Sequence, residues 1–232
     1  MKLNFLTLCK IIDVAYYCGC DGTPVSILIA APPGAGKTWS AKSLENTDFV
    51  QYLNHVYSPN EHRFTIAQAA SRTKLLINDD LGLSARWNQK EFFGTFMMIA
   101  DGEISYTQYR QSQHAIMSCS MVLLCTLDYY TSNKQDIKGM GLYSRIVPIV
   151  VGLSQQTRRT YQDSIRLRRN IRNVPNRDPS IPEKGEYKDE MITIKDIDPR
   201  LLQNLANMSQ WLTDDEFIEL VNIAHKEDKY EV

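Results

Sequence analysis

The residues with the clearest chemical potential form one octet, APPGAGKT, at positions 31–38. Gly34 and Gly36 free the backbone to turn its amide N–H groups inward on an anion. Lys37 offers a cation for the β- and γ-phosphate oxygens, and the Thr38 hydroxyl is a ligand for Mg²⁺. Pro32 and Pro33 stiffen the approach, and Ala35 keeps the loop small. Pro33, Gly34, Ala35, Gly36, Lys37, Thr38 and Trp39 are therefore the candidate lining of a polyphosphate site, with ATP and Mg²⁺ as the cofactors. The usual pattern has Gly where Ala31 stands, and Ala is its smallest substitute. A bare Gly-Pro turn is the plain alternative. The apolar run before the octet and the helix-compatible WSAKSLE after it argue against that reading.

Phosphate cleavage also needs carboxylates to hold the metal and to poise water. LLINDD (75–80) supplies them about forty residues downstream of the octet. Asp79 is the expected Mg²⁺ ligand beside Thr38, and Asp80 stands where a general base is expected. Asn78 occupies a place that is usually apolar. A polar turn after a strand accounts for the acids alone but not for their distance from the octet.

Four continuous apolar runs have the character of buried parallel strands: VSILIA (25–30), LLIN (75–78), MVLLCT (121–126) and IVPIVV (146–151). LNHVYS (53–58) is a fifth and weaker one. Helical patterns alternate with them at 3–17, after Thr38, and at QKEFFGTFMMIA (89–100), whose aromatic and Met positions read as a core-facing stripe. The expectation is an α/β, P-loop NTPase fold: five mostly parallel strands sandwiched by helices, with a small helical C-terminal region. Pro148 lacks an N–H for the ladder and predicts an edge strand.

The chain has 232 residues, 43% hydrophobic and 23% charged, with a net charge of −1. The molecule as a whole is no polycation, and nucleic-acid attraction requires a local patch. No apolar run reaches membrane-span length. Five cysteines, one inside MVLLC, predict reduced thiols and an intracellular, cytoplasmic protein. Cys18 and Cys20 form a metal half-site without a matching pair.

A phosphate loop, a strand ending in Asp-Asp, a strand ending in a polar residue and Ser-Arg before a last strand together resemble an AAA+ ATPase over roughly residues 20–160. The resemblance implies that Thr126 is the sensor 1 residue and that Arg145, in GLYSRIVPI, is the arginine finger acting on a neighbouring subunit. DDLG (79–82) is similar to helicase loaders and transposition ATPases, which implies a sensor 2 role for Arg158 or Arg159. ISYTQYR resembles one arm of the β-hairpin that touches DNA in replicative helicases and initiators. Arg110, His114 and Lys90 are then candidate DNA contacts, against the plain reading of a surface loop.

Residues 157–177 hold seven arginines and one acid. Arg166, Arg169 and Arg172 step by three and share a helix face; with Arg158 and Arg159 they are candidate phosphate contacts, or partners for acids of an adjacent subunit. The expected organisation is an ATPase core (1–152), an Arg-rich helical segment (153–174), a linker (175–192) and a small acidic helical tail (193–232). Pro199 suits a first helical turn, and Thr213 with Glu216 forms a capping-box pattern. The resulting expectation is an ATP-hydrolysing homo-oligomer, a ring or spiral and by analogy a hexamer. It would act on DNA or on a replication or mobile-element partner, in a cellular or viral setting. The alternatives are a monomeric P-loop kinase and a weakly hydrolysing nucleotide-dependent scaffold.

Overall fold

Strand residues alternate between the two faces of a sheet, so a strand buried on both sides must be apolar at every position. The computed structural model, which describes residues 5–54, 58–81, 89–150, 176–181 and 198–228, is built on this rule. Its main sheet has five strands, β1 (Ser26–Ala31), β2 (Val50–Leu53), β3 (Leu75–Asn78), β6 (Ser120–Thr126) and β7 (Val147–Val150), in the order β2-β3-β6-β1-β7. Every pairing in it is parallel. Central β1 is buried at all six positions. Ile27, Ile29 and Ala31 join one apolar cluster and Leu28 and Ala30 the other.

The first cluster packs the sheet against α1 (Phe5–Cys20), α2 (Lys37–Lys42), α6 (Pro199–Ser209) and α7 (Asp214–Asp228). The second packs it against α3 (Pro59–Ala69), α4 (Gln89–Ala100) and α5 (Leu127–Gly139). The molecule is thus a parallel sheet with helices on both faces. Phe92, Phe93 and Phe96 of α4 are fully buried, as their spacing requires. Gly19 lets α1 approach the start of β3: a Cβ there would lie 2.0 Å from the Lys74 carbonyl oxygen.

Four strands fall where the apolar runs predict them. The fifth does not: β2 is Val50–Leu53 rather than 53–58, and residues 55–57 lie outside the described residues. Only Leu53 of this strand is buried, so its apolar signal is faint. Among the described residues Pro148 sits on the edge strand β7, which pairs with β1. Between α4 and β6 lies an antiparallel hairpin, β4 (Glu103–Gln108) and β5 (Gln111–Ile116).

The C-terminal helices are not an appendage. Leu201, Leu205, Met208, Trp211 and Leu212 are buried in the same cluster as α1 and the sheet. Asp198 caps α6 with Pro199 in its first turn, and Thr213 and Glu216 exchange the two capping-box hydrogen bonds. Residues 176–181, expected as linker, are docked as well. Arg177 donates to Asp13 (2.7 Å) and to the Ser43 hydroxyl (2.8 Å), and Ser180 donates to the same buried carboxylate. Among the described residues no helix is long and apolar enough to cross a membrane.

Candidate functional site

Parallel strands bring their carboxyl ends to one edge of the sheet, and ligands of such sheets bind along that edge. The register sets Ala31 of β1 level with Thr126 of β6, and Asn78 of β3 level with Leu123. The loop after β1 and the Asp79-Asp80 step after β3 therefore flank the tip of β6. Gly34 and Gly36 both take positive φ (82° and 86°), a left-handed conformation that side chains disfavour. Gly36 precedes α2 without a side-chain cap. Helix geometry also leaves the first-turn amides of α2 without intrahelical carbonyls.

Thr38, on the first turn of α2, donates from its hydroxyl to Asp79 Oδ1 at 3.1 Å. Alternation explains how. In β3, Ile77 faces the side that carries α2 and Leu76 the opposite side. Asp79 continues the Ile77 face, and its amide still pairs with Leu53 of β2 at 2.9 Å. Tyr52 of β2 shares that face and donates to Asp79 Oδ2 at 2.6 Å, so both oxygens of this buried carboxylate are held. Burial and the adjacent carboxylate push the Tyr52 hydroxyl well above the usual phenol range, so it stays a donor.

Lys37 Nζ folds back onto the carbonyl oxygens of Ala31 (2.6 Å) and Pro32 (3.1 Å). Burial pulls its pKa down, while the Cys125 thiol, Asp79 and Asp80 push the other way. Its two hydrogen-bond partners are neutral carbonyls, and an anion would be a better one. Asp80 is exposed and takes φ 55°, a left-handed conformation that turns the chain away from the ladder. The donor set suits magnesium-bound polyphosphate: a hydroxyl and a carboxylate 3.1 Å apart, both oxygen ligands, with a lysine and uncapped amides beside them. Among the described residues no group of three His, Cys, Asp or Glu side chains could hold a metal unaided, and Cys18 is buried while Cys20 is exposed.

Thr126 stands at the β6 tip beside Ala31, and its oxygen accepts from the Tyr129 amide at 3.1 Å as the N-cap of α5. Arg145 is elsewhere. Val147 pairs with Ile27, so Arg145 lies at the amino edge of the sheet, roughly 20 Å below the loop at about 3.3 Å per residue. There its Nε donates to Asp101 (2.9 and 3.0 Å), a carboxylate shared with Arg200 at 3.1 Å.

ISYTQYR lies in the β4–β5 hairpin, as expected. Tyr109 and Arg110 form its two-residue tip, both at positive φ (51° and 63°) and both exposed. His114 lies exposed on β5 and Lys90 exposed on α4. Arg158, Arg159, Arg166, Arg169 and Arg172 lie outside the described residues. Two members of the candidate site escaped sequence reasoning. Tyr52 carries no motif. His62 of α3, buried, bonds Asn78 Oδ1 through Nε2 at 3.3 Å and thereby answers for the polar residue at an apolar strand position.

Comparison with known proteins gives no match to any family model and none to a characterised sequence.

Proposed function

We propose that the protein is a P-loop ATPase of the AAA+ type, which hydrolyses ATP between subunits of a homo-oligomer to drive work on DNA or on a DNA-replication partner. One observation carries the reading: the Thr38 hydroxyl and the Asp79 carboxylate meet at 3.1 Å beside a glycine-freed loop, at the carboxyl edge of a parallel sheet. The strand order β2-β3-β6-β1-β7 supports it, because it sets a polar strand tip, Thr126, between the loop and the acids.

In this reading the amides of Gly34, Gly36, Lys37 and Thr38 hold the phosphates; the Ala35 amide closes the loop on the Pro32 carbonyl at 3.2 Å, and Pro33 and Trp39 lie at the margins. Lys37 exchanges its two carbonyl partners for phosphate oxygens. Thr38 and Asp79 hold Mg²⁺, which when bound neutralises charge on the β- and γ-phosphate oxygens. Asp80 takes the proton of the attacking water, and Thr126, whose hydroxyl hydrogen remains available to donate, orients the reacting end. Arg145 lies too far below the loop to serve its own site and is offered to a neighbour's γ-phosphate, where a cation offsets transition-state charge. Arg110 and the arginines at 158, 159, 166, 169 and 172 contact nucleic-acid phosphates.

Calorimetry of the full chain with ATP and Mg²⁺ tests the core of this reading. The expected result is saturable binding that Lys37→Ala weakens by roughly 10–100-fold, the loss of a charge-assisted contact. No heat with the parent chain overturns it. A monomeric kinase is the second reading, favoured by the engagement of Arg145 with Asp101 of its own chain.

A further inference from the structure

Asn78 is an amide in the last position of a buried strand, and such a group is costly to bury unless a partner is fixed opposite it. The partner is His62 Nε2, 3.3 Å from Asn78 Oδ1. Because Oδ1 only accepts, His62 Nε2 carries the hydrogen and donates it. The ring is itself caged by α4, with Phe92 and Phe96 centroids at 5.0 and 5.7 Å. Alternation then separates two consecutive residues: Asn78 is held on the α3 face, and Asp79 on the opposite face by Thr38 and Tyr52.

The same helix grips the hairpin. Asn60, in the first turn of α3, exchanges two 3.0 Å hydrogen bonds with the backbone of Thr107, and Phe64 packs edge-on against Tyr106 at 5.6 Å. Further along α3, Arg63 donates to Thr95 of α4 (2.8 Å), and the Thr65 carbonyl accepts from Gln51 of β2 (3.0 Å). An exposed hairpin, a helix and the residue before the metal-holding carboxylate therefore form one continuous set of directional contacts.

We propose that His62 is a positioning residue for Asp79, and that α3 transmits displacement between the β4–β5 hairpin and the nucleotide site through the His62–Asn78 hydrogen bond. This rests on the nucleotide reading above. His62 touches neither nucleotide nor metal; it fixes the β3 tip, so that Asp79 presents its oxygens correctly only when α3 is seated. Whatever engages the hairpin tip tilts α3 and changes the hold on the metal, and metal binding changes the hairpin in return, since coupling between two sites is reciprocal.

The test is calorimetry of the full chain with a slowly hydrolysed ATP analogue, with Mg²⁺ and with EDTA, beside hydrogen exchange of residues 103–116. In the parent, Mg²⁺ strengthens binding and alters hairpin exchange. In His62→Phe, affinity in EDTA stays at the parent value, the Mg²⁺ enhancement falls roughly fivefold, as loss of one neutral hydrogen bond predicts, and the hairpin response vanishes. His62→Gln, whose amide N–H can donate to Asn78, restores both. Asn60→Ala, at an exposed position, keeps the Mg²⁺ enhancement and loses the hairpin response. If His62→Phe does not fold, His62→Phe/Asn78→Leu, which orphans neither polar partner, is measured in its place. A parental Mg²⁺ enhancement in His62→Phe, or a parental hairpin response in Asn60→Ala, overturns the proposal while leaving nucleotide binding intact. A parent chain that binds no nucleotide in either buffer overturns the nucleotide reading and this inference with it.

Discussion

Asp79 is the residue on which the candidate site converges, and its surroundings make definite demands. Its Oδ2 accepts from Tyr52 at 2.6 Å in a buried setting. Tyr52→Phe leaves that oxygen one donor short and is expected to lower stability by about 1–3 kcal/mol. Urea unfolding measures this, and the cost should shrink in an Asp79→Asn background; equal costs in both backgrounds contradict the contact. His62 makes a demand of a different kind. Burial pushes its pKa down to about 4, and in the unfolded chain it titrates near 6.5. The folded state therefore refuses a proton that the unfolded state accepts. Its stabilising contribution is complete above about pH 6.5 and is lost as pH falls towards 4, by of order 3 kcal/mol. Acidification across this range should cost the parent about 3 kcal/mol more than it costs His62→Gln, and parallel unfolding curves contradict a buried neutral imidazole. The octet and the two aspartates were legible in the sequence, because each is a run of consecutive residues at the end of an apolar strand. Tyr52 and His62 were not, since each lies 16 or more positions from its partner and matches no local pattern.

At the scale of elements, the hairpin violates a local preference in plain sight. A two-residue turn of this kind needs positive φ at both central positions and favours Asn-Gly, yet Tyr109 and Arg110 fill it at 51° and 63°. Residues that break a local rule cluster at functional positions. Tyr109→Asn/Arg110→Gly is expected to raise stability by roughly 1 kcal/mol and to weaken single-stranded DNA binding. A melting curve and a titration of labelled DNA check the two signs, and unchanged affinity argues against the proposed DNA contact at the tip. The hairpin arm was suggested by the resemblance of ISYTQYR to helicase hairpins; its docking on α3 was not legible, because Asn60 and Thr107 are 47 residues apart. The strand error has the same root. Val50–Leu53 forms at the sheet edge with one buried residue, so tertiary pairing with β3 defines it rather than hydrophobicity.

For the whole molecule, two expectations concern how far the chain is one unit and how many chains make a site. Leu201, Leu205, Met208, Trp211, Leu212 and Leu220 are all buried in the cluster that covers one face of the sheet. Each such side chain contributes about 1.5–3 kcal/mol, against a total stability of order 5–15 kcal/mol. Deleting residues 193–232 should therefore abolish folding, seen as loss of a cooperative thermal transition; a separable tail would leave that transition in place. Arg145 stands at the amino edge of the sheet and the glycine-bearing loop after β1 at the carboxyl edge. Arg145→Ala and Lys37→Ala should each abolish phosphate release, and mixing the two should restore part of it, because some interfaces then combine an intact loop with an intact arginine. No recovery on mixing argues for action within one chain. Apolar runs, glycine placement and helix caps announced the parallel sheet, its proline-bearing edge and the loop, because each obeys rules acting over a few residues. The docking of α6, α7 and residues 176–181, the distance between Arg145 and the loop, and the partners of Asp79 and Asn78 came from folding alone. They depend on which faces meet once the strands are ordered, and that order is settled by burial over the whole core rather than by any one segment.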